Sequence, residues 1–379
     1  MREGREAQAS TTRITFPTPD PPSFMSEVKQ RVSDYFESRR LSSKCNATTI
    51  AKTVILVVAT FGSYALILTG WPTPLQMLGL CIVMGAGVAG IGFCVAHEAL
   101  HEAYSSNRIV NRVLGWSFDL TGANGYMWKL THNVIHHTYT NIQGIDDDLE
   151  VSPLLRLSPE ADWKPFHRFQ HIYAFFAYSL STLNWVFLKD YRYFLRRHLG
   201  PYRDRSNPRR EIAGLFAWKL VYYGYTIVVP ILMLHPVWWQ FLIGFLAMHL
   251  TAGIILGVVF QLAHVVEGTD YPLADGEGLM GHAWAVHQME TTSNFSGGNR
   301  WLSWYVGGLN FQVEHHLFPK VCSVHYPAIS KIVREVAEKY GLPYNHHPTL
   351  FGAVRSHWES LKRLGDPASS ALIARQRSD

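Results

Sequence analysis

Residues 237–263 read VWWQFLIGFLAMHLTAGIILGVVFQLA, a run without Asp, Glu, Lys or Arg, and His264 follows it directly. At about 1.5 Å per residue, a helix of this length crosses a hydrocarbon core of roughly 30 Å. Residues 212–234 precede it across the two-residue link His235-Pro236, with Lys219 as their one formal charge, placed near the start where its stem can snorkel to the interface. Residues 51–70 and 75–96, also nearly uncharged, form a similar pair. The pattern predicts an all-α integral membrane protein with four transmembrane helices in two hairpins. Buried helices of a large soluble protein are the competing explanation, which these lengths disfavour.

Charge orients the frame. Neither hairpin link contains Lys or Arg, whereas the N-terminal segment, the long middle loop and the C-terminal region are rich in both. The positive-inside rule then puts both termini and the middle loop in the cytosol. The net charge of +5, with Arg196, Arg197, Arg203, Arg205, Arg209 and Arg210 ahead of the third span, fits this bias or anionic headgroups better than nucleic acid. Residues 166–188 are aromatic and apolar but carry His167, Arg168, His171 and Asn184, and are expected to lie in the interface or dip into it as one or two helices, not as a fifth full span.

Histidines gather on the predicted cytosolic side. His97-Glu98-Ala99-Leu100-His101 ends the second span, His132-Asn133-Val134-Ile135-His136-His137 lies in the middle loop, His264 ends the fourth span, and Gln312-Val313-Glu314-His315-His316 comes after it. Neutral imidazole suits iron, zinc and copper. His97 and His101, four apart on a helix, differ by about 40° in azimuth, and His132 and His136 repeat that relation. His137 is turned about 100° further and is positioned to reach a second metal. Together these are more ligands than one metal can hold, so two metals are expected, with no catalytic side chain beyond the ligands. Asp146, Asp147 and Asp148 are candidates to orient ligand imidazoles, as are Glu98 and Glu314; a solvated acidic loop is the bland alternative. Cys45, Cys81, Cys94 and Cys322 form no paired-thiol motif, so neither a disulfide framework nor a thiolate zinc site is indicated.

Box order, placement and the four-span frame resemble the membrane-bound fatty acyl desaturases, over roughly residues 50–344. The resemblance implies a di-iron enzyme that uses O2 and two electrons to remove two hydrogens from an acyl chain. It implies His97, His101, His132, His136, His137, His315 and His316 as metal ligands, with His264 similar to a further ligand at the end of the fourth span. Gln312, where most acyl desaturases have His, resembles the front-end, delta-6/delta-5-like branch, which inserts a double bond between an existing one and the carboxyl end. Asn294-Phe295, Gly307-Gly308-Leu309-Asn310-Phe311 and Leu317-Phe318-Pro319 look like that branch too. Gln312 is read as binding metal directly or through water, or as hydrogen-bonding a ligand. The His-Pro-Gly-Gly haem motif of fused cytochrome b5 domains is not found in this sequence. Electrons are therefore expected from ferredoxin or free cytochrome b5, and the substrate from an acyl-CoA or acyl-lipid.

The expected organisation is a mobile leader and pre-membrane segment (1–45), a membrane desaturase domain with a cytosolic helical cap (46–350), and a C-terminal helix with a disordered tail (351–379). Helices are predicted over residues 326–340 and 351–364. His249, in mid-span, is read as lining a tunnel or, in preference, bonding between helices. A di-iron lipid hydroxylase or carotenoid-type oxygenase would use similar boxes. A histidine-rich metal transporter would instead need ligands at the membrane midplane, and these lie at helix ends.

Overall fold

The computed structural model describes residues 13–149 and 153–368. The first twelve residues of the leader and the last eleven of the tail therefore lie outside the described residues. Among the described residues, four helices are long and apolar enough to cross a membrane: Ala47–Leu68, Pro74–Leu100, Arg209–Leu234 and Trp238–His264. Local chemistry sets their ends. Asn46 caps the first through the Thr49 amide, and Thr73 and Gln76 form a reciprocal capping box around Pro74 at the start of the second. His235 turns the second hairpin in a left-handed conformation, φ 44°.

The second span sits at the centre, packed against the first and the fourth. Between spans there is little hydrophobic gain, so close approach of small residues does much of the work. A Cβ on Gly85 would stand 2.4 Å from the Met248 carbonyl oxygen, and one on Gly253 2.1 Å from that of Ser179. Outward faces present Val54, Val58, Ile82, Leu220, Leu232 and Ile243.

Residues 165–195 form a broken helix packed against the fourth span. Thr182 donates to the mid-span carbonyl of His249 (2.8 Å), and the His249 ring bonds Tyr222 Oη (2.9 Å) and Thr182 Oγ1 (3.1 Å). His249 is thus satisfied between helices, while also lining a cavity. Lys219 does not snorkel, because this segment brings an acid to it. Its Nζ donates to Asp190 (2.7 Å) and to the carbonyls of Gly122 (2.7 Å) and Val186 (2.8 Å), all out of water.

A helical cap closes the histidine end. Phe24–Arg39, Trp284–Thr291 and Tyr326–Lys339 share a core containing Phe24, Val28, Val32, Met289, Ile329, Val333 and Val336. Leu350–Leu364 docks on the broken helix through His357, bonded to Tyr178 Oη (2.9 Å) and the Val265 carbonyl (2.7 Å). Asn294–Phe295 pairs in parallel with His346–His347. Within the leader, Thr15 exchanges backbone hydrogen bonds with Gly278 and Met280, and Phe16 packs on Tyr139 and His287.

The Lys219–Asp190 pair generates a test. Lys219→Met strands a buried carboxylate and is expected to cost about 3–5 kcal/mol. Thermal unfolding in detergent should show a drop of several degrees, largely recovered in Lys219→Met/Asp190→Leu.

Candidate metal centre

Wide turns aim the ligands. A π-helical turn at Gly92–Ala96 immediately precedes His97, and another spans Lys129–His136. Such a turn carries an extra residue and redirects the side chains beyond it. Asn124 caps the second of these segments, His264 closes the fourth span, and His315 and His316 sit on the one-turn helix Gln312–Leu317. The eight imidazoles are each no more than 6 % exposed.

They form two sets. Ring nitrogens of His97, His101, His132 and His315 lie within 4.8 Å of one another, as do those of His136, His264 and His316. His137 stands between, its ring centroid 4.6 Å from His315 and 4.4 Å from His316. The helical spacing assigned His132 and His136 to one side and His137 to a second metal. His132 and His136 stack, ring centroids 5.0 Å apart, and form a group with Asp148, while each also joins a different histidine set.

Partners fix the rings. Asp146 takes His136 Nδ1 at 3.0 Å and is itself held by the Asn141 and Asp148 amides. Asp148 lies 3.5 Å from His132 Nδ1 and 3.6 Å from His136 Nδ1. Asp147 turns away to Arg196. His264 Nδ1 meets the Thr291 carbonyl (3.2 Å), His316 Nδ1 the Gln288 Oε1 (2.7 Å) and His315 Nδ1 the Tyr326 hydroxyl (3.3 Å). Asn141, in a left-handed conformation, donates to the His264 carbonyl and ties the second box to the fourth span. Nothing in the sequence alone marks Gln288, Thr291 and Tyr326 for this role. Thr291 contributes a backbone carbonyl, which side-chain chemistry cannot reveal.

The other two carboxylates serve elsewhere. Glu98 accepts from the Ser323 amide (3.0 Å), and Glu314 accepts from Asn294 (2.8 Å) and Tyr344 (2.9 Å). Gln312 donates from Nε2 to the Leu309 carbonyl (2.7 Å), which leaves Oε1 as its atom for a metal or a ligand.

Electrostatics favour metal. Burial drives His101, His132, His137, His315 and His316 well below their ordinary range, so they are neutral imidazoles, the form a metal binds. Burial would also lower His136, but Asp146 and Asp148 outweigh it and raise the net value. The Nε2 atoms of His97, His101, His132, His136, His137, His315 and His316 are buried without any hydrogen-bond partner. Unpaired buried acceptors in such number are costly, and a pair of transition metals would satisfy them. The donor set therefore fits such a pair.

An apolar cavity opens beside His97, walled by Phe93, Phe118, Trp128, Trp185 and Phe260. Val88, Thr121 and Thr182 also line a second cavity, whose walls include Met84, Tyr222, Met248 and His249.

Residues 72–348 match the family model described as Fatty acid desaturase. The chain is 37% identical to the sn-1 linoleoyl-lipid 6-desaturase of Synechocystis sp., over 90% of this chain and 95% of that protein. It is 34% identical to the sn-1 linoleoyl-lipid 6-desaturase of Arthrospira platensis, over 96% of this chain and 98% of that one. The acyl-lipid (8-3)-desaturase of Physcomitrium patens is likewise 34% identical, over 89% of this chain and 71% of its own length.

Asp146→Asn removes the charge beside His136 while keeping the shape. Metal affinity is expected to fall about 10–100-fold, read as metal retained per chain after dialysis against graded chelator, with the fold checked by circular dichroism.

Proposed function

The chain belongs to the fatty acid desaturase family, and from that membership we propose that it inserts a cis double bond into a lipid-linked acyl chain between an existing double bond and the carboxyl end. As an enzyme of this family it is a fatty acyl desaturase, an oxidoreductase of lipid metabolism with membrane-spanning helices. The front-end position and the lipid carrier are supported by the 6-desaturase and acyl-lipid names of its relatives and by Gln312 at the head of the third box. The observation that carries the reading is two sets of buried imidazoles beside one apolar cavity.

His97, His101, His132 and His315 would hold one iron, and His136, His264 and His316 the other, with His137 between them and Gln312 offering Oε1. Iron bound there supplies the activation of O2, with two electrons from ferredoxin or free cytochrome b5, that an unactivated methylene requires. The protein's own side chains contribute placement. Phe93, Phe118, Trp128 and Phe260 exclude water and hold the acyl chain alongside His97. Asp146, Gln288, Thr291 and Tyr326 keep the rings from turning. The methyl end points toward Tyr222 and His249, so the distance from His97 to that wall selects the carbon attacked. The basic middle loop orients the metal centre and both termini toward the cytosol.

Expression in a host fed linoleate tests this. A new double bond on the carboxyl side of the existing ones, located by mass spectrometry and lost in His315→Ala, is the expected result. An added hydroxyl would reassign the protein as a lipid hydroxylase. Ala252→Phe should shorten the second cavity, so conversion of linoleate falls roughly tenfold relative to a chain two carbons shorter, in line with about 1–3 kcal/mol for a mis-sized apolar pocket.

A further inference from the structure

A second cluster lies behind the first box. Cys45, just ahead of the first span, and Cys322, six residues after His316, bring their sulfurs to 2.7 Å although 277 positions apart in sequence. Glu98 places a carboxylate oxygen within 4.8 Å of both, and Cys322 has no exposed surface. The two segments are pinned around the thiols. The Cys322 amide donates to the Ser43 carbonyl (2.8 Å) and the Cys45 amide to that of Tyr104 (3.2 Å). Lys44 Nζ bridges the carbonyls of Glu102 (2.8 Å) and Lys320 (3.0 Å).

Two chemistries suit such a group, a soft metal or a dithiol, and the spacing separates them. Two thiolates on one tetrahedral zinc, at about 2.3 Å each, stand nearly 4 Å apart. These sulfurs are well inside that. We propose that Cys45 and Cys322 are a redox-active dithiol that closes to a disulfide, stapling the entrance of the first span to the segment after the third histidine box. Cys45 is half-buried and Cys322 fully buried, so the order of reaction is set. The Cys45 thiolate attacks an external disulfide R–S–S–R, forming a mixed disulfide and releasing RS⁻. The Cys322 thiolate then attacks the Cys45 sulfur and releases the second RS⁻, so the two cysteines lose two protons and two electrons and the oxidant leaves as two thiols. In a reducing compartment the dithiol is the resting form. The neighbouring Cys322 sulfur, with burial, pushes the Cys45 thiol far above its ordinary range, so closure is slow at neutral pH and faster in alkali.

The test uses the full chain in detergent, incubated with oxidised glutathione at alkaline pH. It is then denatured in acid and SDS and treated with N-ethylmaleimide. Of four cysteines, the oxidised chain should take up two labels and the dithiothreitol-treated chain four, and digestion should release a peptide pair joined through Cys45 and Cys322. Cys45→Ser and Cys322→Ser should each abolish the joined pair. Four labels after oxidant, a glutathione adduct on Cys45 that Cys322 never resolves, or a metal bound at these thiols and released by chelator without any joined peptide would each overturn the proposal. The readout is a mass and does not depend on desaturase activity.

Discussion

Imidazoles that must remain neutral, dry and aimed inward constrain this molecule more than any other group. Seven of the eight have an Nε2 buried with no hydrogen-bond partner, and each such atom is costly until a metal takes it. Helices alone could bring the rings together. Holding them against that cost requires the neighbours that grip the other nitrogen: Asp146, Gln288, Tyr326 and the Thr291 carbonyl. The cap is the means by which those neighbours arrive. Trp284–Thr291 delivers Gln288 and Thr291, and Tyr326–Lys339 delivers Tyr326, both from one shared core.

The four long apolar helices and the histidines that cluster were legible in the sequence, because length without charge and histidine at close spacing are local properties. The four spans fall within four residues of the stretches read from hydropathy. What the sequence hid was relational. Lys219 reads as an interfacial lysine until residues 165–195 pack against the bundle and bring Asp190 against it. His132 and His136 read as one pair and do stack as one, yet each also joins a different histidine set built from other segments. Glu98 and Glu314 read as partners of their neighbouring histidines, yet they face Ser323 and the Asn294–Tyr344 pair. Each depends on a tertiary contact.

Polar groups inside the bundle obey one rule. Lys219, His249, Thr182 and Tyr222 all lie in or against spans, and all bond one another, an acid or a carbonyl. Thr182, Tyr222 and His249 also line the inner cavity, so the structural requirement to satisfy them shapes the wall that an acyl chain would meet there.

The turn at Gly92–Ala96 bears on how the family can vary. A π turn holds one residue more than the α-helix it interrupts. Loss of a single residue there would let the helix relax to regular winding, and the placement of His97 and His101 against His132 and His315 rests on the turn as it stands. The bilayer would tolerate a span shorter by that one residue. The winding of this helix is therefore set at both ends, by the close approach at Gly85 on one side and by the histidines on the other.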